Sequence, residues 1–144
     1  MSGPAETPLR PPPRLTFPRS RRITHDLEFQ AVYDARMKKA RGPLAVFAIP
    51  NARPYSRLGL SVGRRVGGAV VRNGVKRALR EAFRHIQHDL PVGTNGGYDL
   101  VVSVRPHPLA GPETYQAALA DLAQQLHREW ERRSKRRDDK ELGA

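Results

Sequence analysis

Seven basic side chains, Arg64, Arg65, Arg72, Lys76, Arg77, Arg80 and Arg84, stand between positions 64 and 84, with Glu81 the single acid among them. At 100° per residue, Arg72, Asn73, Lys76, Arg77, Arg80 and Arg84 fall on one stripe of a helix. Beside it runs an apolar stripe of Val71, Val75, Ala78, Leu79, Ala82, Phe83 and Ile86. Cations four residues apart repel and weaken a helix. A polyanion on that face removes the repulsion, and each phosphate it brings releases counterions. Arginine suits the task, because its planar fork grips two phosphate oxygens at once and stacks on bases. A solvated face in an arginine-rich chain, with 21 Arg to 5 Lys, would explain the abundance but not the ordering. The stripe predicts nucleic-acid phosphate as the ligand. Structured RNA is favoured over duplex DNA, since no helix-turn-helix, zinc-finger or heptad pattern sets a helix into a major groove. The aromatic strand signature of an RNA recognition motif is missing too.

Other chemistries fare worse. Gly63 and Gly68 have the spacing of a phosphate loop, but Ala69 and Val70 stand where Lys and Ser or Thr would hold phosphate and Mg²⁺. Turn geometry and close backbone packing are the better reading of these glycines. No G-x-G-x-x-G supports a dinucleotide site. His25, His85, His88, His107 and His127 are scattered without metal-ligand spacing and read as surface histidines. No serine sits in a G-x-S-x-G elbow. With no cysteine, the chain has no disulfide, thiolate metal site or cysteine nucleophile, which suits a reducing cytosol. The residues predict neither a protein-borne catalytic centre nor a protein metal site.

The stripe needs a scaffold, and 144 residues with 38% hydrophobic content fill one modest core. Apolar spacing of Ile23, Leu27, Ala31 and Met37, with Phe29 and Tyr33 beside them, predicts a first helix capped by Thr24 or Asp26. Residues 44–49 are short, apolar and closed by Pro50, hence a buried strand. Alternation of Leu58, Leu60 and Val62 with Gly59, Ser61 and Gly63 gives a second strand. The basic helix follows over about residues 69–88. Residues 100–104 make a third strand closed by Pro106 and Pro108. A last helix from about Thr114 carries the seam Tyr115, Ala118, Leu119, Leu122, Leu126 and Trp130, with Arg128, Arg132 and Arg133 complementing its negative end.

Around this body, about residues 21–133, lie two segments expected to be disordered. Residues 1–20 are a Pro/Arg-rich arm with no apolar periodicity and no signal-peptide core, and residues 134–144 are a charged tail expected to fray. The longest apolar run is far shorter than the roughly 20 residues of a membrane helix, so no membrane span is expected. A formal net charge of +12 favours a polyanionic partner.

Residues 58–84 strongly resemble the signature of the bacterial ribonuclease P protein subunit. The likeness runs from Leu58-Gly59-Leu60-Ser61-Val62 through Gly63-Arg64-Arg65-Val66-Gly67-Gly68 to Arg72-Asn73-Gly74-Val75-Lys76-Arg77 and Arg80-Glu81-Ala82-Phe83-Arg84. It extends over about residues 21–132, with Arg22, Phe29 and Tyr33 like the family's first helix and residues 115–130 like its last. The resemblance implies an α+β fold, a single-domain α-β-β-β-α-β-α sandwich like some ribosomal proteins. Such a fold has three helices, a four-stranded sheet and a left-handed βαβ crossover through the basic helix, against the usual hand. It places the fourth strand near residues 37–40, where the pattern alone shows none.

The same resemblance implies a protein subunit of the ribonucleoprotein endonuclease that removes the 5′ leader of precursor tRNA. Its partners would be the ribonuclease P RNA and precursor tRNA, in the cytoplasm, with no membrane and no obligate protein partner. The RNA would be the catalyst, with Mg²⁺ held by RNA rather than by a protein site. By matching positions, Arg72, Asn73, Lys76, Arg77, Arg80 and Arg84 would contact the RNA subunit. Phe29, Tyr33 and Phe47, with Arg22, Arg64 and Arg65, would hold the single-stranded leader in a cleft between the first helix and the sheet. Stacking on aromatics with arginines along the backbone suits a single strand of any sequence. By residue type alone, the three aromatics fit an ordinary core equally well. Gly74 departs from the family's Arg-Asn-Arg. A structural protein of the ribosome is the alternative for the charge pattern, and a DNA-compacting protein a third reading.

Overall fold

The computed structural model describes residues 17–142. The expected N-terminal arm lies outside them except for its last four residues. After a 3₁₀ turn at Arg19–Arg21, the chain forms α1 (Asp26–Asp34), β1 (Lys38–Arg41), β2 (Leu44–Pro50) and β3 (Arg57–Ser61). A second 3₁₀ turn at Arg64–Val66 leads into α2 (Ala69–Ile86), then β4 (Tyr98–Val104) and α3 (Pro112–Leu142). The order is the expected one, and β1 is the fourth strand, lying near the implied position. Mostly exposed, it holds its place through an antiparallel ladder from Lys38 opposite Phe47 to Arg41 opposite Leu44.

The sheet runs β1-β2-β4-β3. β2 pairs with its neighbours antiparallel, whereas β3 and β4 are parallel and joined through α2. Period-two alternation divides β2 between the faces: Leu44, Val46 and Ala48 enter the large core beneath α2 and α3, while Phe47 and Ile49 turn toward α1. The large core also takes Val75, Leu79, Ala82 and Phe83 of α2, and Tyr115, Leu119, Leu122 and Leu126 of α3. Among the described residues the other face carries only α1, whose Val32 packs with Ile23 and Val101, with Phe29, Tyr33 and Phe47 at the margin.

Several local expectations are corrected. The helix expected from Ile23 to Met37 is only Asp26–Asp34. Its N-cap is His25, without a side-chain cap hydrogen bond, rather than Thr24 or Asp26. Its inner residues are Val32, Phe29 and Tyr33, and Leu27 is 85% exposed, because the short helix orients to seat its aromatics on the sheet. Ile23 belongs to the sheet edge, its N–H donating to the Leu58 carbonyl at 2.9 Å. Phe17, assigned to the arm, packs on Phe83 with ring centroids 5.3 Å apart, so the packed body begins before residue 21. The tail expected to fray is helical, since α3 runs on to Leu142. Arg128, Arg132 and Arg133 therefore do not complement a helix end. His107 and His127 are not plain surface histidines: they are half-buried hydrogen-bond partners of Tyr115 and Tyr98 hydroxyls at 2.6 and 2.8 Å.

Two glycines do identifiable work. Gly67 has φ 154° at the turn into α2, in line with turn geometry for this glycine-rich stretch. Gly59 lets α1 approach β3, since a Cβ there would lie 2.8 Å from the Phe29 ring.

The sequence reading passed over the polar network beneath α1. Arg57 Nε donates to Asp99 Oδ1 at 2.8 Å, and its Nη2 donates to Asp99 Oδ2 and forms an ion pair with Glu28 Oε2 at 2.7 Å. Asn51 Nδ2 donates to Asp99 Oδ1 at 2.9 Å. Asp99 and Glu28 raise the Arg57 pKa above its usual value, with the Asp99 hydrogen bond the largest cause and burial opposing it. Removing Asp99 leaves the buried Arg57 with the more exposed Glu28 alone and takes an acceptor from Asn51 Nδ2. Asp99→Ala is expected to destabilise the fold by about 3 kcal/mol in urea unfolding, and a loss below about 1 kcal/mol would mean that water replaces the carboxylate. At Gly74 the opposite sign is expected. A Cβ there would meet only Leu109, at 3.8 Å. Gly74→Ala should therefore raise stability by about 0.5–1 kcal/mol in the same assay.

Candidate RNA interface

α2 positions the cationic stripe because Val75, Leu79, Ala82 and Phe83 anchor its opposite side in the core. Arg72 is half-buried, and its Nε is buried with no hydrogen-bond partner among the described residues. Asn73, Arg77, Arg80 and Arg84 line an open groove of about 470 Å³ together with Phe17, Arg22 and Glu81. A smaller groove of about 170 Å³ adjoins it through the shared residues Phe17, Arg22 and Arg80, and adds Lys76, Phe29 and the sheet-edge residues Leu58 and Leu60. Phe29 and Arg22, expected on the leader surface, thus share one concavity with Lys76 and Arg80, expected on the RNA-subunit surface.

Electrostatics mark the same place. The Arg80 guanidinium has its pKa lowered, first by desolvation and then by the positive charge of Arg22. Arg22 is itself fixed, its guanidinium 4.7 Å from the centre of the Phe17 ring and donating to the Phe17 carbonyl at 3.1 Å. Arg22 and Arg80 are both exposed and line the same two grooves, so an anion there would meet both positive charges. Arg84 is placed differently. It is paired with Glu81, whose carboxyl is held down at about 2, chiefly by the Arg84 hydrogen bond and further by His85.

The aromatic residues lie along the underside of α1. Phe29 rests over Gly59. Tyr33 meets Phe47 edge to face, with centroids 4.9 Å apart. All three are half-buried, neither a closed core nor free platforms. Lys38 Nζ stands 5.6 Å from the Phe47 ring centroid and adds a cation that the sequence reading omitted. Phe17 was missed as well, for it sits in a Pro-rich stretch with no periodicity to mark it. Arg64 and Arg65 are exposed on the second 3₁₀ turn, which contacts α2. Neither lines the grooves that hold Arg22 and Phe29.

Metal donors do not assemble: among the described residues, no three His, Asp or Glu side chains come together to hold an ion. No helix of the described residues is long and apolar enough to cross a membrane.

The comparisons with known proteins agree with this geometry. The family model described as Ribonuclease P matches residues 17–132, beginning at the Phe17 that packs on α2. A ribonuclease P protein component of Desulfovibrio desulfuricans is 37% identical over 117 residues, which cover 80% of this chain and 87% of the relative. The solved RNase P protein from Thermotoga maritima superposes with a TM-score of 0.61 at 28% identity, over 72% of this chain and 96% of that one. That of Staphylococcus aureus gives 0.57 at 28% identity, over 72% and 93%. With its basic helix, its mixed sheet and these relatives in accord, the chain belongs to the ribonuclease P protein family, protein components of the ribonucleoprotein endonuclease of tRNA 5′ processing.

Proposed function

We propose that α2 seats the catalytic RNA subunit through Arg72, Asn73, Lys76, Arg77 and Arg80, and that the α1 side of the sheet takes the 5′ leader of precursor tRNA. The observation that carries this reading is the groove that brings Arg22, Lys76 and Arg80 together beside Phe29 and the sheet edge. There, phosphate would relieve a repulsion that the fold imposes. Arg84 joins this face only by leaving Glu81, so it is a weaker contact than its neighbours. Arg64 and Arg65 stay exposed toward the start of α2, available to backbone phosphates at its rim.

Phe29, Tyr33 and Phe47 supply edges and faces for unpaired bases, with Lys38 and Arg22 for the phosphates between them. The chain's own role is thus binding and orientation. It screens the repulsion between two RNAs, while Mg²⁺ stays with the RNA phosphates, away from a surface whose positive potential disfavours a divalent cation. The particle works in the cytoplasm on this reading. A ribosomal role is not favoured, because the family match covers the whole described body up to Arg132.

The double substitution Arg72→Ala, Lys76→Ala should weaken assembly with the RNA subunit and reduce the slope of log affinity against log salt by about two. An unchanged slope in a titration over salt would remove α2 from the RNA face. Tyr33→Ala spares the contact of Phe29 with Gly59 and should lower holoenzyme affinity for precursor tRNA about tenfold, with mature tRNA unaffected. Equal losses on both would return Tyr33 to the core.

A further inference from the structure

Trp130 and Glu131 are where the body last holds α3. The indole Nε1 of Trp130 donates to the Ala48 carbonyl at 3.0 Å, and Glu131 accepts the Thr94 N–H at 2.9 Å and its hydroxyl at 3.1 Å. The helix nevertheless continues to Leu142, about 16 Å further at 1.5 Å per residue. No apolar residue occurs between Glu131 and Lys140, so core packing does not explain this extension. The family match ends at Arg132, so the shared domain does not explain it either.

The charges of the extension are ordered. Arg132, Arg133, Arg136, Arg137 and Lys140 are exposed and occupy a sector of roughly 140° at 100° per residue, in two rows of cations four apart. Lys135 and Asp138 fall outside that sector, and two acids border it, Asp139 three residues after Arg136 and Glu141 four residues after Arg137. Among the described residues, no ion pair engages Arg136, Arg137 or Lys140, whereas Arg132 pairs with Glu129 at 2.9 Å and Arg133 covers Trp130 at 4.9 Å. Like charges at this spacing oppose the helix that carries them, as they do on α2.

Position selects the ligand. The pairs Arg41–Asp121 and Lys39–Glu129, at 3.3 and 3.8 Å, show α3 running along β1 toward its start. The extension leaves the body beside Lys39 and Ala48, the residue after Phe47 on β2. Arg72 and Asn73 lie elsewhere, near the opposite end of α3, where Gly74 faces Leu109 just before that helix begins. That end of α2 is thus remote from the extension, whereas the loop after α2 meets the extension's base through Thr94 and Glu131. With no apolar side the extension also lacks what an interfacial membrane helix requires.

We propose that the last turns of α3 form a phosphate-binding arm for the distal part of the leader, beyond the nucleotides held under α1. The proposal rests on the leader reading of the α1 cleft. A single strand is flexible enough to turn around the end of the sheet from Phe47 and Lys38 onto Arg136, Arg137 and Lys140.

The test uses holoenzyme reconstituted with the RNA subunit and the full chain carrying Arg136→Gln, Arg137→Gln and Lys140→Gln, which relieves repulsion and leaves Arg133 on Trp130. Binding is measured for precursor tRNA with a short leader confined to the cleft, with a leader about ten nucleotides longer, and for mature tRNA. The long-leader precursor should bind about tenfold more weakly, with a salt slope reduced by about two. The short-leader precursor, mature tRNA and assembly should be unchanged, and Lys at the three positions should restore binding. Loss of assembly would assign the stripe to the RNA subunit, and unchanged long-leader affinity would make it a solvated helix; either overturns the proposal. Tyr33→Ala, run alongside, separates the two readings. If it spares both leaders while the arm variant weakens only the longer one, the cleft reading fails and the arm stands. If it weakens both while the arm variant does nothing, the arm fails alone.

Discussion

Arg57 and Asp99 occupy the first paired positions of the parallel strands β3 and β4, and their charges meet there nearly shielded from water. A one-residue slip of either strand would bury each charge without its partner, a penalty of several kcal/mol that hydrophobic pairing could not offset. Glu28 brings α1 to the same guanidinium, and Asn51 brings the loop after β2 to the same carboxylate. One ion pair thus links the parallel register, the seat of the first helix and the loop that leaves β2. The candidate cleft inherits its geometry from that point, since Phe29 follows Glu28 by one residue and lies over Gly59, two residues beyond Arg57.

The two faces of the sheet are covered unequally. α2 and α3 close one side over a large apolar cluster, whereas α1, only nine residues long, covers part of the other. The aromatics beneath it remain half-buried, and among the described residues no further element finishes the layer. Such a surface is poorly hydrated and incompletely packed, which suits unstacked bases better than water or a second sheet. A scaffold rigid on one side presents a partly open aromatic margin on the other.

Charge follows a similar division. Cations facing acids within the fold, such as Arg57, Arg84 and Lys39, serve structure. Those grouped with other cations, Arg22 with Arg80 along one groove and the two rows at the end of α3, are opposed by their own repulsion. Arrangements of the second kind cost stability in the free protein, and an RNA backbone offsets that cost on binding. The seven-to-one excess of bases over acids between positions 64 and 84 is the part of this pattern visible in the chain as written.

Legibility in the sequence tracked how local the physics was. The period of α2, the apolar run of β2, the alternation in β3 and the seam of α3 through Trp130 are repeats within one element, and all hold in the structure except at Val71, which lies exposed in the first turn of α2. β1 was invisible because its residues are mostly exposed and only its partner strand makes it a strand; the resemblance supplied it. The buried face of α1 was misjudged, with Leu27 out and Val32 in, since nine residues give too little periodicity against a tertiary seat that favours aromatics. The Arg57–Asp99 pair spans 42 residues, and Phe17 reaches Phe83 across the body from a Pro-rich stretch. By itself the sequence determined the class of ligand, the cationic helix and the order of its main elements, because charge and periodicity are properties of the chain. Only the tertiary structure decided which arginines share one groove, which are neutralised by acids, and how far the last helix extends past its core, because those depend on distances between residues remote in sequence.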